Sequence, residues 1–180
     1  SFSVSNLIGE NLSLKDRIIV NQIPSAHNHL ATLLEAMKEN RAVIISYCAF
    51  GKTKSYTFSI EPYCVKLFEN RWYVLAHNVQ YDDIRIYGLD RIEDLKVSDS
   101  TFKLPKDFSA SDYFSAYYGV VTGYDIKPEH IIIRAYRDHI PYLQSLPLHH
   151  SQRLLEDNGE YADFDLYLAP TYDFVMRLLH

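Results

Sequence analysis

Short apolar segments separated by turn residues run from residue 42 to residue 97, and this spacing constrains the fold more than any other feature. In the first segment Val43, Ile45 and Tyr47 alternate with their neighbours, which is the period of a strand. Pro62 interrupts a later segment and lacks a backbone donor, so we expect an edge, a bend or a bulge there. Five short strands so close together predict a small, strongly bent barrel.

One helix is predicted before these strands, because four apolar residues recur at helical spacing behind Ser25, a residue type that caps helices. The stripe consists of Leu30, Leu33, Leu34 and Met37. After Gly123 the pattern reads strand, helix, strand, strand and helix, and the last helix starts near Tyr172. A ferredoxin-like sandwich has one strand more, so we expect an incomplete ferredoxin-like βαββα unit.

These patterns predict a chain that is mainly β with an α+β part. The predicted segments are an N-terminal arm at 1–24, a barrel with its leading helix at 25–100, a linker at 101–123 and the truncated ferredoxin-like extension at 124–180. The 15 Tyr and 9 Phe residues support the β-rich assignment, because aromatic side chains fit a pleated, half-buried surface.

Charge is distributed unevenly along the chain, and the distribution bears on what the protein binds. The formal net charge is −5, which opposes attraction to the phosphates of duplex DNA. Between residues 41 and 80, however, the sequence has five Lys and Arg residues against two Glu residues. The sequence therefore predicts an anionic ligand for this region and no direct contact with bulk duplex DNA.

The sequence contains no pattern typical of metal binding or catalysis. Cys48 and Cys64 lack CxxC spacing, and His27 and His29 point to different sides of the predicted helix. A glycine-rich phosphate loop and a nucleophile elbow are missing too, so we expect no metal, no cofactor and no enzymatic activity. No apolar run approaches the roughly 20 residues that span a bilayer, and we expect a cytoplasmic protein without a membrane partner.

Aromatic and cationic side chains occur close together around two of the predicted strands. Trp72 and Tyr73 follow Arg71, and Arg85 and Tyr87 share one face of a strand because they are two residues apart. Arginine donates to phosphate or carboxylate, and an aromatic face stacks on a base. A nucleotide or single-stranded oligonucleotide is therefore the expected ligand. The candidate ligand-binding residues are Tyr47, Trp72, Tyr73, His77, Arg85, Tyr87 and Arg91.

Several of these residues have structural interpretations that the sequence leaves open. The rings of Tyr47 and Trp72 could belong to the core instead of a ligand platform. Arg91 could tie a turn through an ion pair with the aspartate before it, and Arg85 could pair with its own acidic neighbours. His77 could be an ordinary surface residue at the end of a strand.

Four short motifs, in their order and spacing, resemble the WYL domain, a ligand-sensing module found mainly in bacterial transcription regulators. They cover roughly residues 40–97 and are Ile45-Ser46-Tyr47, Glu61-Pro62-Tyr63, Trp72-Tyr73-Val74 and Leu89-Asp90-Arg91-Ile92. Val74 replaces the leucine of the family name, which is a mild change. Gly88 stands where many members have an arginine, so one ligand-facing cation is missing and more of the binding is expected from Arg85 and Arg91.

The resemblance implies an Sm-like or SH3-like barrel between a winged helix-turn-helix domain and a ferredoxin-like extension called WCX. It implies a regulatory domain that senses a nucleotide or single-stranded nucleic acid effector and controls an attached or associated DNA-binding domain. DNA would then be contacted only through a helix-turn-helix domain outside this chain, and a homodimer is compatible with this arrangement. The alternative is a protein-interaction or dimerisation module that binds no small ligand.

Overall fold

The computed structural model describes residues 27–123 and 125–179. The first elements are α1 (His27–Lys38), β1 (Arg41–Cys48), β2 (Ser55–Phe68), β3 (Arg71–Asn78), β4 (Asp83–Gly88), a 3₁₀ helix (Leu89–Arg91) and β5 (Ile92–Thr101). The five strands form one antiparallel sheet in the order β4-β3-β2-β1-β5. The predicted arm at residues 1–24 and the predicted cap Ser25 lie outside the described residues.

Strand β2 is 14 residues long and contains a bulge next to Pro62. Pro62 pairs with Ala76 and Cys64 pairs with Leu75, so Tyr63 is the extra residue. A bulge bends a strand and reverses which face the later side chains occupy. The irregularity that Pro62 predicts is therefore confirmed, as a bulge within one continuous strand.

The first core lies between α1 and the inner face of the five-stranded sheet. Its buried side chains include Leu33, Ala36, Val43, Ile45, Ile60, Val74, Ala76 and Leu89. The helix stripe predicted from the sequence is wrong in one member, because Leu34 is 42% exposed whereas Ala36 is 2% exposed. The buried stripe is centred on Leu33, and Leu34 lies about 100° around the helix from it, at the flank.

The second part of the chain contains a short helix and a smaller α+β unit. Its elements are α2 (Ala110–Phe114), β6 (Glu129–Tyr136), α3 (His139–Ser145), β7 (Arg153–Asp157), β8 (Tyr161–Leu168) and α4 (Tyr172–Leu178). The three strands pair antiparallel in the order β6-β8-β7, and a second core forms around Phe164 and Phe174. The predicted class, mainly β with an α+β part, is confirmed. Within the described residues no helix combines the length and apolar character needed to cross a membrane.

The segment between β5 and β6 packs against the outer face of β2 through aromatic rings. The Tyr63 ring centroid lies 6.0 Å from that of Phe102 at the start of the segment. Further along, the Phe68 centroid lies 5.7 Å from that of Tyr118, which is itself 6.0 Å from the Phe174 centroid in α4. These contacts join the first sheet to the second unit through the connecting segment.

Two charged side chains hold the same segment from opposite sides. Nζ of Lys66 donates to the carbonyl oxygen of Gly119 over 2.6 Å. Oδ2 of Asp173 accepts the backbone N–H groups of Val120 and Val121, each over 2.7 Å. A Cβ at position 119 would collide with the Asp173 carboxylate, so only glycine allows this approach without a shift.

Replacing Asp173 by alanine should destabilise the protein, because the change removes the acceptor of two backbone N–H groups, one of them on the buried Val120. Hydrogen bonds to a charged group contribute about 1.5–3 kcal/mol, and we expect a loss of that size in the free energy of unfolding, measured by urea denaturation. Asp138→Ala is the control, because this exposed residue precedes α3 without making a capping bond. Equal losses in the two variants would contradict the role of Asp173.

Candidate functional site

A cavity of about 320 Å³ opens at one end of the first sheet, beside the β1–β2 and β3–β4 turns. Six of its lining side chains are aromatic or cationic, namely Tyr47, Tyr56, Phe58, Tyr81, Arg85 and Tyr87. Three of the sequence candidates, Tyr47, Arg85 and Tyr87, are therefore brought together here. The other four candidates lie elsewhere.

Strand pairing explains why these side chains converge. Tyr47 in β1 pairs with Tyr56 in β2, and directly opposed residues point to the same face. Phe58 is two residues from Tyr56, and Arg85 is two residues from Tyr87, so each pair shares a face. All five therefore project from the inner face at the open end of the sheet.

Tyr87 is the buried member of the group, with 4% of its surface exposed. Its ring centroid lies 5.0 Å from that of Tyr47, edge to face at 79°, and 5.5 Å from that of Phe58. Burial raises the pKa of the Tyr87 hydroxyl, against the opposing effect of its hydrogen bond with Asn78. The hydroxyl is therefore protonated at neutral pH, and the ring has a fixed orientation in the wall of the cavity.

Tyr81 and Arg85 form the exposed rim. The Arg85 guanidinium carbon lies 4.3 Å from the centroid of the Tyr81 ring, and Nε of Arg85 lies 2.9 Å from both carboxylate oxygens of Asp83. Arg85 thus forms the ion pair that the sequence suggested as its structural role. Its two terminal nitrogens have no hydrogen-bond partner within the described part of the chain, so they can still donate to a ligand.

Asn78 is fully buried and fixes the rim in place. Its Nδ2 donates to the hydroxyl oxygen of Tyr87 over 2.8 Å. Its Oδ1 accepts the backbone N–H of Gln80 over 2.9 Å and that of Tyr81 over 3.1 Å. One amide side chain therefore orients both the buried ring of Tyr87 and the turn that carries Tyr81.

His77 does not line the cavity but links β2 to the same turn. Its Nδ1 lies 3.0 Å from Oε2 of Glu61, and its Nε2 lies 2.9 Å from Oδ1 of Asp82. An ionised carboxylate only accepts hydrogen bonds, so both contacts are satisfied only when the imidazole is doubly protonated. Burial lowers the pKa of His77, but the hydrogen bonds and charges of Asp82 and Glu61 outweigh burial and raise it above its ordinary value.

Trp72 and Tyr73 point to opposite faces of β3, and neither lines the cavity. Trp72 is partly buried against the first core, which agrees with the core interpretation of its ring. Tyr73 pairs with Gly88 in β4, and a Cβ at position 88 would lie 3.7 Å from Cε1 of Tyr73. An arginine at position 88 would therefore project beside Tyr73, on the opposite face of the sheet from Arg85.

Arg91 lies next to the cavity rather than in it. Its guanidinium carbon is 4.8 Å from the ring centroid of Phe50, in a neighbouring cavity of about 310 Å³. Ala49 lines both cavities, so the two are adjacent. Asp90 forms its ion pair with Arg71, over 3.2 Å, and this leaves the Arg91 side chain against Phe50.

Three aromatic residues that line the cavity, Tyr56, Phe58 and Tyr81, are not among the candidates from the sequence. Tyr56 and Phe58 alternate along one strand, and this spacing was a usable signal for two rings on one face. Nζ of Lys54 lies 5.3 Å from the Tyr56 centroid, which adds a cation nearby. Tyr81 precedes two aspartates and resembles an ordinary turn residue, and no local pattern indicates that it lies over Arg85.

The arrangement suits a ligand that combines a planar ring with an anion. Aromatic faces stack on planar groups, and a guanidinium offers paired donors to phosphate or carboxylate. Within residues 27–123 and 125–179, no group of three or more His, Cys, Asp and Glu side chains could hold a metal ion.

A larger cavity, of about 740 Å³, lies on the second unit between β6, α3 and the end of α4. Its two arginines already have partners. Arg134 forms two hydrogen bonds with the Asp163 carboxylate, and Arg177 donates to the hydroxyl of Tyr142. The smaller cavity has five tyrosine and phenylalanine rings in its lining, against two in the larger one, and is therefore the better candidate for stacking on a planar ligand.

Residues 28–97 match the family model of the WYL domain. This range holds α1, strands β1 to β4, most of β5 and every candidate residue named from the sequence. A comparison with curated proteins gives no match. Fourteen chains of solved structures match, among them the proteasome accessory factor B/C (PafBC) of Arthrobacter aurescens, with 17% identity and a TM-score of 0.44 over 81% of this chain and 22% of that one. The chain thus spans about a fifth of that solved chain.

His77 should make the stability of the first unit depend on pH. Because its pKa is raised on folding, the stabilisation is complete below the ordinary value of about 6.5 and is lost as the pH rises through the folded-state pKa. The excess stability of the wild type over His77→Gln in urea denaturation should therefore be largest at about pH 5.5, below the ordinary pKa of about 6.5, and should shrink as the pH rises above that value. His139→Gln, at an exposed position, serves as the control. A difference that stays constant as the pH rises would refute the two-carboxylate contact.

Proposed function

We propose, from the match of residues 28–97 to the WYL domain model, that the chain is the ligand-sensing, regulatory part of a bacterial transcription regulator. Its effector is a nucleotide or a single-stranded oligonucleotide. The DNA operator is contacted by an attached or associated helix-turn-helix domain and not by this chain, whose net charge of −5 disfavours direct binding to duplex DNA.

This proposal rests on the aromatic cavity that has one arginine at its rim. Its volume of about 320 Å³ is near the lower end of the range for small-molecule sites, about 300–1,000 Å³. One nucleoside therefore fits, with its base against the rings of Tyr47, Tyr56 or Tyr81. The terminal nitrogens of Arg85 supply donors for the phosphate beside it.

The neighbouring cavity favours an oligonucleotide over a mononucleotide. Phe50 is 80% exposed at the tip of the β1–β2 turn, and the Arg91 guanidinium lies against its ring. An exposed ring beside a cation is a second stacking platform of the kind used for single-stranded nucleic acids. Because Ala49 lines both cavities, a strand whose base occupies the first could place its next nucleotide on Phe50 and Arg91.

The proposed architecture is an Sm-like or SH3-like barrel at 25–100, a linker at 101–123 and a ferredoxin-like, WCX-type extension at 124–180. The strand order β4-β3-β2-β1-β5 and the 3₁₀ helix between β4 and β5 support the barrel. The order β6-β8-β7, with one helix after β6 and another after β8, supports the extension.

Regulation requires that the effector bind two arrangements of the chain with different affinity. Strand β2 connects the two places where such a difference could arise. Tyr56 and Phe58 near its start line the aromatic cavity, and Lys66 near its end binds the connecting segment. An effector that shifts the start of β2 would thus alter the contacts that attach the second unit.

Binding of a fluorescently labelled single-stranded oligodeoxynucleotide of about ten nucleotides tests the site, with cyclic nucleotides and single-stranded RNA as competitors. The variant Tyr81→Ala/Arg85→Ala should raise Kd at least about tenfold, because stacking on an aromatic ring is worth about 1–3 kcal/mol per base. Arg91→Ala should weaken the oligonucleotide more than a mononucleotide.

The matched control for this experiment is Tyr136→Ala/Lys96→Ala. Tyr136 and Tyr81 are both 57% exposed, and Lys96 is an exposed cation of the first sheet that forms an ion pair with Asp94. Equal and weak binding by the wild type and the Tyr81→Ala/Arg85→Ala variant would reject the assigned site.

A protein-interaction or dimerisation module is the second candidate function, and β7 favours it. All five residues of β7 are exposed, including Leu154 at 49% and Leu155 at 55%, and among the described residues no strand pairs with its outer edge. Exposed edges with apolar side chains pair readily with another strand.

Leu154→Lys should convert a dimer formed through β7 into a monomer, because it places charge where two edges would meet. Light scattering coupled to gel filtration measures the mass of the wild type and the variant. A wild-type monomer at about 100 μM, or a dimer that Leu154→Lys leaves intact, would contradict dimerisation through β7.

A further inference from the structure

A second cavity, of about 480 Å³, lies where β2, α2 and the second unit meet. Lys66 of β2 lines one side, Ser111 and Phe114 of α2 line another, and His150 of the second unit lines a third. The cavity is on the outer face of β2, whereas the aromatic cavity is on the inner face. None of the candidate effector-binding residues lines it.

Lys66 presents a half-buried ammonium group to this cavity. Its Nζ donates to the carbonyl of Gly119 and lies 4.1 Å from the ring centroid of Phe114. Within the described part of the chain Lys66 forms no ion pair, and Oδ2 of Asp173 already accepts two backbone N–H groups. Burial of this charge is costly, and the charge of Asp173 acts on Lys66 without forming an ion pair with it, so an anion in the cavity would relieve part of that cost.

The other groups around the cavity are neutral or donate hydrogen bonds. Burial lowers the pKa of Lys66, and the nearby charge of Asp173 opposes this effect. Burial also raises the pKa of the Cys64 thiol, more than the charge of Lys66 lowers it, so Cys64 brings no negative charge at neutral pH. His150 is exposed, with its ring centroid 4.0 Å from that of His149, and Ser111 adds a hydroxyl group.

We propose that this cavity binds one small oxyanion, such as phosphate, between Lys66 and His150. Lys66 supplies the charge and an N–H donor, and His150 and Ser111 supply further donors. Hydrogen bonds of this charge-assisted type are the strong ones. The anion contacts the first sheet, the connecting segment and the second unit together, so its binding stabilises the arrangement in which the three are joined.

Titration of the ¹⁵N-labelled chain with sodium phosphate at constant ionic strength tests the site by NMR. In the wild type, the amide signals of Lys66, Ser111 and His150 should shift together along one saturable curve, and the Lys66 side-chain nitrogen should titrate at higher pH when phosphate is bound. Sulfate should reproduce the response, and sodium chloride at the same ionic strength should not.

Lys66→Met keeps the length of the side chain and removes the charge. It should weaken phosphate binding at least about tenfold, whereas Lys66→Arg retains it and the exposed control Lys96→Met leaves it unchanged. If Lys66→Met fails to fold, His150→Ala provides the second variant, since that side chain is exposed and should only weaken binding.

The absence of a saturable shift in the wild type, or an unchanged response in Lys66→Met, would overturn the proposal. The Tyr81→Ala/Arg85→Ala variant should retain the phosphate response at Lys66. This result would show that the oxyanion site binds independently of the effector site, so that one proposal can be rejected without the other.

Discussion

The bulge at the extra residue Tyr63 of β2 is the constraint on which the rest of the structure depends. Side chains alternate between the two faces of a strand, and one inserted residue reverses the alternation. Before the bulge Phe58 and Ile60 face the first core, and after it Val65 does, while Lys66 faces the connecting segment. Without the bulge Lys66 would point into the first core, where a charged amine has no partner. The bulge therefore lets one strand line a core and the aromatic cavity and also contact the connecting segment.

The sequence predicts the order of elements because alternation and helical spacing are local properties. It locates the irregularity at Pro62, but it does not say which residue is extra, and so it leaves the face of Lys66 undetermined. The same limit applies to the site. Oδ1 of the buried Asn78 accepts the backbone N–H of Tyr81 three residues away, which is a local contact. The position of the Tyr81 ring over Arg85 depends in addition on the pairing of β3 with β4, which no local pattern encodes. Trp72, the most distinctive residue of the motif, packs against the first core.

Several polar contacts attach the second unit within the described residues, including the Ala169 N–H that donates to the Ala116 carbonyl over 2.8 Å and Nε2 of His149, 2.9 Å from the Ser115 carbonyl oxygen. Lys66 binds Gly119, and Asp173 binds the two following backbone N–H groups, beside the aromatic contacts of Tyr118. Coupling between sites in regulatory proteins is typically about 1–3 kcal/mol, similar to one charge-assisted hydrogen bond. The loss of a single one of these contacts is therefore comparable in free energy to a typical coupling between sites.

Trp72 also determines what the intrinsic fluorescence of the chain measures. It is the only tryptophan in the sequence, and it lies against the first core, whereas the aromatic residues of the second unit are tyrosines and phenylalanines. Its emission therefore reports the solvation of the first unit alone, while far-ultraviolet circular dichroism reports both units. Two-state unfolding of the whole chain requires that the two probes give coincident transitions. Because the single indole lies in the first unit, separate transitions would show that the two units unfold independently.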